Sequence, residues 1–344
     1  MSVPDHGWHP VWRGVLDTRV GPGQVDRGRA RGQYMSPGFA GGGRGIPRCP
    51  GRDTGKTTVG LVGFGAFGRL IAAHTAAYFE LMAYDPAPGF RERAIGLGVA
   101  PVDLETAARC DVVVLAVPVS SLERVVGEIA RYCRPGAFVI DVASVKVWPV
   151  EVMRDALPDQ VRIIATHPLF GPESASDGIA GLKIAVCPVR GPCHCLVAFL
   201  RERLHLEVIE TTPDAHDRDA ATVQGLTHLI AKVLSEMGPV PTRMTTPSFD
   251  LLVKAISMVR DDPPEVFDAI ETMNPYAQDV RRAFLERVAG LDRALCDRAG
   301  LADGDPGPPE DGTMRRQIGP DADILAGDNR RWHGDPRKAR RRCL

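Results

Sequence analysis

Between residues 57 and 212 the chain alternates short apolar runs with stretches of helical spacing. Residues 58–62, 81–84, 111–117, 137–142 and 161–166 are rich in β-branched and aliphatic side chains and predict strands, most of them separated by helical segments. That alternation implies a doubly wound parallel sheet. Residues 182–187 and 206–211 predict two further strands, with a helix over 194–204 between them. Past Thr212 the texture changes. Thr212 is a good N-cap and Pro213 suits the first helical position, opening a helical run to about Met237 and more helix to about Val288. The expected organisation is an α/β domain over 57–212 followed by an all-helical domain over 213–297. The flanks, 1–56 and 298–344, are rich in Gly, Pro and Arg or mixed in charge, show neither period, and are expected to be disordered extensions.

Composition narrows the function classes. The chain has 344 residues, 44% hydrophobic and 25% charged, with a formal net charge of -1. That balance suits a globular chain of two domains and makes no electrostatic case for nucleic acid. No apolar run is long enough to span a bilayer and the N-terminus lacks an apolar targeting core, so a cytoplasmic protein is expected. Eight cysteines without a framework spacing point to free thiols in a reducing compartment. Cys187, Cys193, His194 and Cys195 match no common closed zinc site, so no metal is expected.

Two phosphate-binding patterns compete near the first strand. Gly55-Lys56-Thr57 suggests a triphosphate loop, but Pro50 stands where that loop needs glycine, and no strand precedes it. Gly63-Phe64-Gly65-Ala66-Phe67-Gly68 instead follows the strand and opens a helix, the arrangement that lets backbone approach a pyrophosphate at a helix N-terminus. Asp85 ends the second strand, where an acid bonds ribose hydroxyls, and no Arg or Ser immediately follows it to take a 2′-phosphate. The reading is a Rossmann-type domain binding NAD in preference to NADP. Val117 and Pro118, at the end of the strand over 111–117, complete the expected cofactor set.

Chemistry is expected at the carboxyl ends of later strands, where the chain carries "DVASVK" (141–146) and "THPLFGPES" (166–174). At these motifs the chain resembles the prephenate and arogenate dehydrogenase family of tyrosine biosynthesis, over about residues 58–291. "AHDRDAATVQGLTH" (215–228) looks like that family's helical substrate segment, and "ATHPLFGPES", "VQGLTH" and "TTPSFDLLV" are most similar to its plant-like arogenate branch.

The resemblance implies oxidative decarboxylation of a cyclohexadienol. A base takes the hydroxyl proton, hydride passes to nicotinamide, and the ring carboxylate leaves as CO2 as the ring aromatises, with no metal required. By resemblance His167 is the base, a role suited to an imidazole, and Ser144 bonds both substrate and nicotinamide. As residues alone, His167 could satisfy a core hydrogen bond and Ser144 could cap the helix after it. Glu173, Gln224 and His228 match family positions facing the substrate. His216 begins the helix about 18 Å from His228 along an α-helical axis, so the two cannot touch one small ring. Asp177 stands near the place where an acid is associated with arogenate preference; Asp-Gly is equally an ordinary turn pair. The clamp for the substrate's side-chain carboxylate is open among Arg243, Lys254 and a residue of a partner subunit, because Asp250 or Lys254 occupies the region where some relatives place arginine. The family further implies a homodimer through the helical domain. Two other classes share the glycine motif: another two-domain NAD-dependent dehydrogenase or reductase, and a non-catalytic NAD-binding protein.

Overall fold

A computed structural model describes residues 56–238, 243–260 and 262–299. The expected extensions therefore lie outside the described residues almost entirely, as does Gly55 of the Gly-Lys-Thr pattern.

Eight strands form one sheet in the order β3-β2-β1-β4-β5-β6-β7-β8. They are β1 (Thr58–Val62), β2 (Glu80–Tyr84), β3 (Ala100–Pro101), β4 (Val112–Leu115), β5 (Phe138–Asp141), β6 (Arg162–Pro168), β7 (Lys183–Arg190) and β8 (Glu207–Glu210). Every residue of β1, β4 and β5 is buried, because helices cover both faces. On one face lie α1 (Ala66–Thr75), α2 (Phe90–Gly96) and α6 (His194–Glu202), burying Phe64, Ala72, Phe90, Phe199 and Leu200. On the other lie α3 (Leu104–Ala108), α4 (Val119–Ile129) and α5 (Val147–Ala156), burying Leu122, Val126, Ile129 and Met153.

The sheet departs from the fully parallel expectation at β7, which runs antiparallel to β6. The intervening segment contains no helix, only turns around Gly171, Gly178 and Gly181. A parallel return requires a crossover long enough for a helix, whereas a turn segment brings the chain straight back alongside. The unforeseen β3 is a two-residue edge strand ending in Pro101, too short to show a period and tolerant of proline because its outer side is unpaired.

From Pro213 onward the described residues are helical: α7 (Pro213–Ala220), a π-helical turn (Ala221–Gly225), α8 (Leu226–Glu236), α9 (Pro247–Arg260), α10 (Pro264–Asp268), a second π-helical turn (Ala269–Met273) and α11 (Ala277–Ala299). Helix α11 extends well past Val288, where apolar periodicity gives way to charged residues that stay solvated. No helix among the described residues is long and apolar enough to cross a membrane.

Candidate functional site

The parallel strands β1, β2, β4, β5 and β6 end on one edge of the sheet, and the strand order reverses between β1 and β4. That is where an open α/β sheet has its ligand crevice. Beyond β1, Gly63 has φ 97°, and a Cβ there would lie 2.4 Å from the Ala116 carbonyl oxygen, so only glycine fits. A Cβ on Gly68 would lie 2.3 Å from the Gly63 oxygen, which lets α1 press against the strand end. Gly65 caps α1 with no side-chain hydrogen bond and no acid in the first turn, and a Cβ on Gly65 would meet nothing within 4 Å. Uncapped amides at a helix N-terminus facing open space are what an anion requires, so this end fits a dinucleotide pyrophosphate.

The remaining cofactor candidates surround that helix end. Ala66 is exposed and Phe67 half-buried, whereas the Phe64 ring is sealed in the core. The Phe64 N–H donates to Asp85 Oδ2 (2.6 Å), and Asp85 Oδ1 accepts from the Ala87 N–H (2.8 Å). Asp85 thus ties the glycine loop to the end of β2. Val117, half-buried, and Pro118, exposed, follow β4 and lead into α4.

Around β5 and β6 the site is polar and enclosed. Ser144 is half-buried three residues beyond β5. It does not cap the following helix: Lys146 holds the N-cap position of α5 without a side-chain cap bond. The helix-terminal amides there, Lys146 N–H and Val147 N–H, donate to Asp217 Oδ1 (2.7 Å) and Oδ2 (2.8 Å), so the cap comes from α7. The Lys146 side chain is wholly buried, paired with Asp141 and donating to the Thr166 carbonyl (2.6 Å). Burial raises the Asp141 carboxyl above its usual range against the opposing pull of Lys146.

His167 sits in β6, 4% exposed. Its Nδ1 lies 2.8 Å from His216 Nε2, and His216 Nδ1 lies 2.8 Å from Asp217 Oδ1. Burial, then the neighbouring His216 and the charge of Lys146, holds His167 well below the ordinary histidine value. The Gln224 amide nitrogen is 3.5 Å from His167 Nε2, and its buried Oε1 has no protein partner. Gln224 lies in the π-helical turn, a local widening of the helix that re-aims side chains and recurs at functional positions.

The Gln224 carbonyl lies 2.9 Å from His228 Nδ1, and His228 Nε2 lies 3.2 Å from Asp262 Oδ2. Burial opposes a charge on His228, yet the hydrogen bonds to Asp262 and the Gln224 carbonyl and the nearby charges of Asp262 and Glu271 carry it above its ordinary value. Glu173 and Asp177 lie exposed on the turn segment between β6 and β7 and are not drawn into this hydrogen-bonded cluster.

The sequence reading treats His216 as a helix start and assigns Asp217 nothing, yet both are buried beside His167. A signal existed. Helix α7 buries His216, Asp217 and Ala220; Ala220 lies four and three residues after the other two, on one helix face, so two of the three inward positions are polar.

A family model described as the nucleotide-binding domain of prephenate dehydrogenase matches residues 71–183. A probable arogenate/prephenate dehydrogenase of Methanocaldococcus jannaschii is 26% identical over 57% of this chain and 46% of its own length. The chloroplastic arogenate dehydrogenase 1 of Arabidopsis thaliana is 25% identical over 72% of this chain and 40% of its own. The chain thus spans less than half the length of these two relatives. In fold it is similar to the crystal structure of Aquifex aeolicus prephenate dehydrogenase with hydroxyphenyl propionate and NAD+, with a TM-score of 0.58, 20% identity, and coverage of 71% of this chain and 92% of that one.

Proposed function

We propose that this chain, which belongs to the prephenate and arogenate dehydrogenase family, oxidatively decarboxylates arogenate or prephenate with NAD. The observation that carries the reading is His167: a buried imidazole, held neutral, at the carboxyl end of β6, in the sheet whose β1 leads into an open helix N-terminus that fits a dinucleotide.

His167 Nε2 takes the proton of the ring hydroxyl, and Ser144, whose hydroxyl makes no hydrogen bond among the described residues, orients that hydroxyl. The nicotinamide, when bound, supplies the hydride acceptor; the ring carboxylate departs as CO2. Gln224 Oε1 is a buried acceptor left for a substrate donor. His228, biased toward the cation by Asp262, suits a substrate carboxylate, so two histidines in one site serve opposite protonation states. The assay that tests this reading is NADH formation with prephenate, arogenate and an amino-substituted prephenate, each with NAD or NADP. Formation with none of the three would overturn it.

Asp177 is proposed to favour arogenate over prephenate by attracting its ammonium. Asp177→Asn should shift the kcat/KM ratio toward prephenate by about 1–3 kcal/mol, the worth of a charged hydrogen bond; an unchanged ratio would leave Asp177 a turn residue.

Cofactor choice is proposed to rest on Asp85, whose carboxylate accepts ribose hydroxyls and repels a 2′-phosphate. Asp85→Ser should weaken the preference for NAD over NADP in kcat/KM, and should loosen the glycine loop because the Phe64 N–H loses its acceptor. A wild-type preference for NADP would end this assignment.

We further propose a cytoplasmic homodimer through the helical segment. The six cysteines among the described residues form no disulfide, as a reducing compartment requires. Among the described residues α9 buries no side chain, and Leu251, Met258, Leu285, Val288 and Leu291 lie exposed along α9 and α11. Apolar faces of that extent mark an interface.

A further inference from the structure

We infer that Asp217 is a positioning residue that, through His216, fixes the tautomer of the base and, through the amides of α5, locks the Ser144 segment to it in one hydrogen-bonded unit. The inference rests on the proposal that His167 is the base. Asp217 is completely buried. Its carboxylate receives three donors: the Lys146 and Val147 N–H groups at 2.7 and 2.8 Å, and His216 Nδ1 at 2.8 Å. Asn274 Nδ2 donates to the Asp217 carbonyl (2.7 Å), pinning its backbone as well. A carboxylate cannot donate, so His216 carries a proton on Nδ1, and with no second proton it presents a lone pair at Nε2. His167 Nδ1, 2.8 Å away, must then be the donor. That leaves the His167 lone pair on Nε2, on the side of Gln224, whose amide nitrogen suits a lone pair there.

The same carboxylate caps α5 from α7, so Ser144, two residues before the cap, and His167, two bonds away through His216, are referenced to one atom group. An acid that dictates an imidazole tautomer through Nδ1 is a recurring device in hydrolases, where disturbing it costs orders of magnitude in rate. Here a second imidazole is interposed, and the acid belongs to the helical segment while the base belongs to the sheet. Docking of the helices onto the sheet is thereby coupled to the protonation pattern of the base.

The experiment uses full-length protein labelled with 15N-histidine, the His167 resonances assigned by loss in His167→Gln, and tautomers read from the two ring nitrogens. In the wild type His167 should show Nδ1–H and a bare Nε2. His216→Phe removes the acceptor and should shift His167 toward Nε2–H, while kcat falls by about two orders of magnitude and NADH affinity is unchanged. His216→Gln, whose carbonyl can accept from Nδ1–H, should restore the wild-type tautomer and most of kcat. Asp217→Asn, with one acceptor oxygen in place of two, should lower kcat without changing NADH affinity. A bare Nε2 persisting in His216→Phe, or equal kcat in the Phe and Gln variants, would overturn the inference. The tautomer is read without substrate, so inactivity of the wild type would count against the proposed reaction and leave the spectra to decide the relay.

Discussion

Replacing His167 with asparagine should lower kcat by roughly 10²–10⁴-fold, the usual worth of a positioned base, while NAD affinity stays near the wild-type value. The cofactor's binding elements, the glycine loop and Asp85, share no hydrogen bond with His167 among the described residues. The pH profile gives a second readout. A base must be unprotonated, and burial together with the neighbouring His216 and the charge of Lys146 places His167 well below 6.5. The acid limb of kcat/KM assigned to this group should therefore fall below pH 6.5 and be absent from the residual activity of the variant. Linkage has the same sign: below pH 6.5 the unfolded chain binds a proton that the folded state resists, so stability contributed by neutral His167 is lost as pH falls. Near-normal turnover in His167→Asn would remove the base assignment and, with it, the proposed mechanism.

The parts legible in the sequence were those with a local period or a local motif. Residues 58–62, 137–142 and 161–166 signalled β1, β5 and β6 because strands covered on both faces are continuous apolar runs. Gly63 and Gly68 were visible because their need for glycine is set by neighbours close in the fold, and the motif travels with the strand and helix around it. Less legible was what depends on tertiary pairing. The direction of β7 follows from the absence of a helix in the preceding segment, which is a weak signal beside its apolar run. The proximity of His216 to His167 joins residues 49 apart in sequence, and helical spacing related His216 only to residues on its own helix. Spacing set His216 apart from His228 but said nothing of which residue each addresses: the first lies against His167, while the second lies against the Gln224 carbonyl.

Lys146 shows how much of this site is held by charge rather than by apolar packing. Its ammonium is completely buried, paired with the equally buried Asp141 and bonded to the Thr166 carbonyl one residue before His167. Lys146→Met preserves chain length and bulk but strands the Asp141 carboxylate, whose Oδ1 already lacks a protein partner. Breaking a buried pair by removing one partner costs about 3–5 kcal/mol, which for a protein of this size corresponds to a fall in Tm on the order of 10 °C. The loss should shrink as pH falls. Asp141 is raised by burial even with Lys146 present, and without it protonation becomes the easier way to relieve the buried charge. A folded-state value above the unfolded one makes the folded chain bind the extra proton, so the stability of the variant relative to wild type improves on acidification through that range. Adding Asp141→Asn should recover much of the stability at neutral pH, since the neutral amide leaves no charge to strand. Denaturant unfolding of the three proteins at neutral and acid pH measures both effects. Equal midpoints for wild type and Lys146→Met would mean that the pair contributes nothing net, and that Thr166 and His167 are held in place without it, by their pairing with β7.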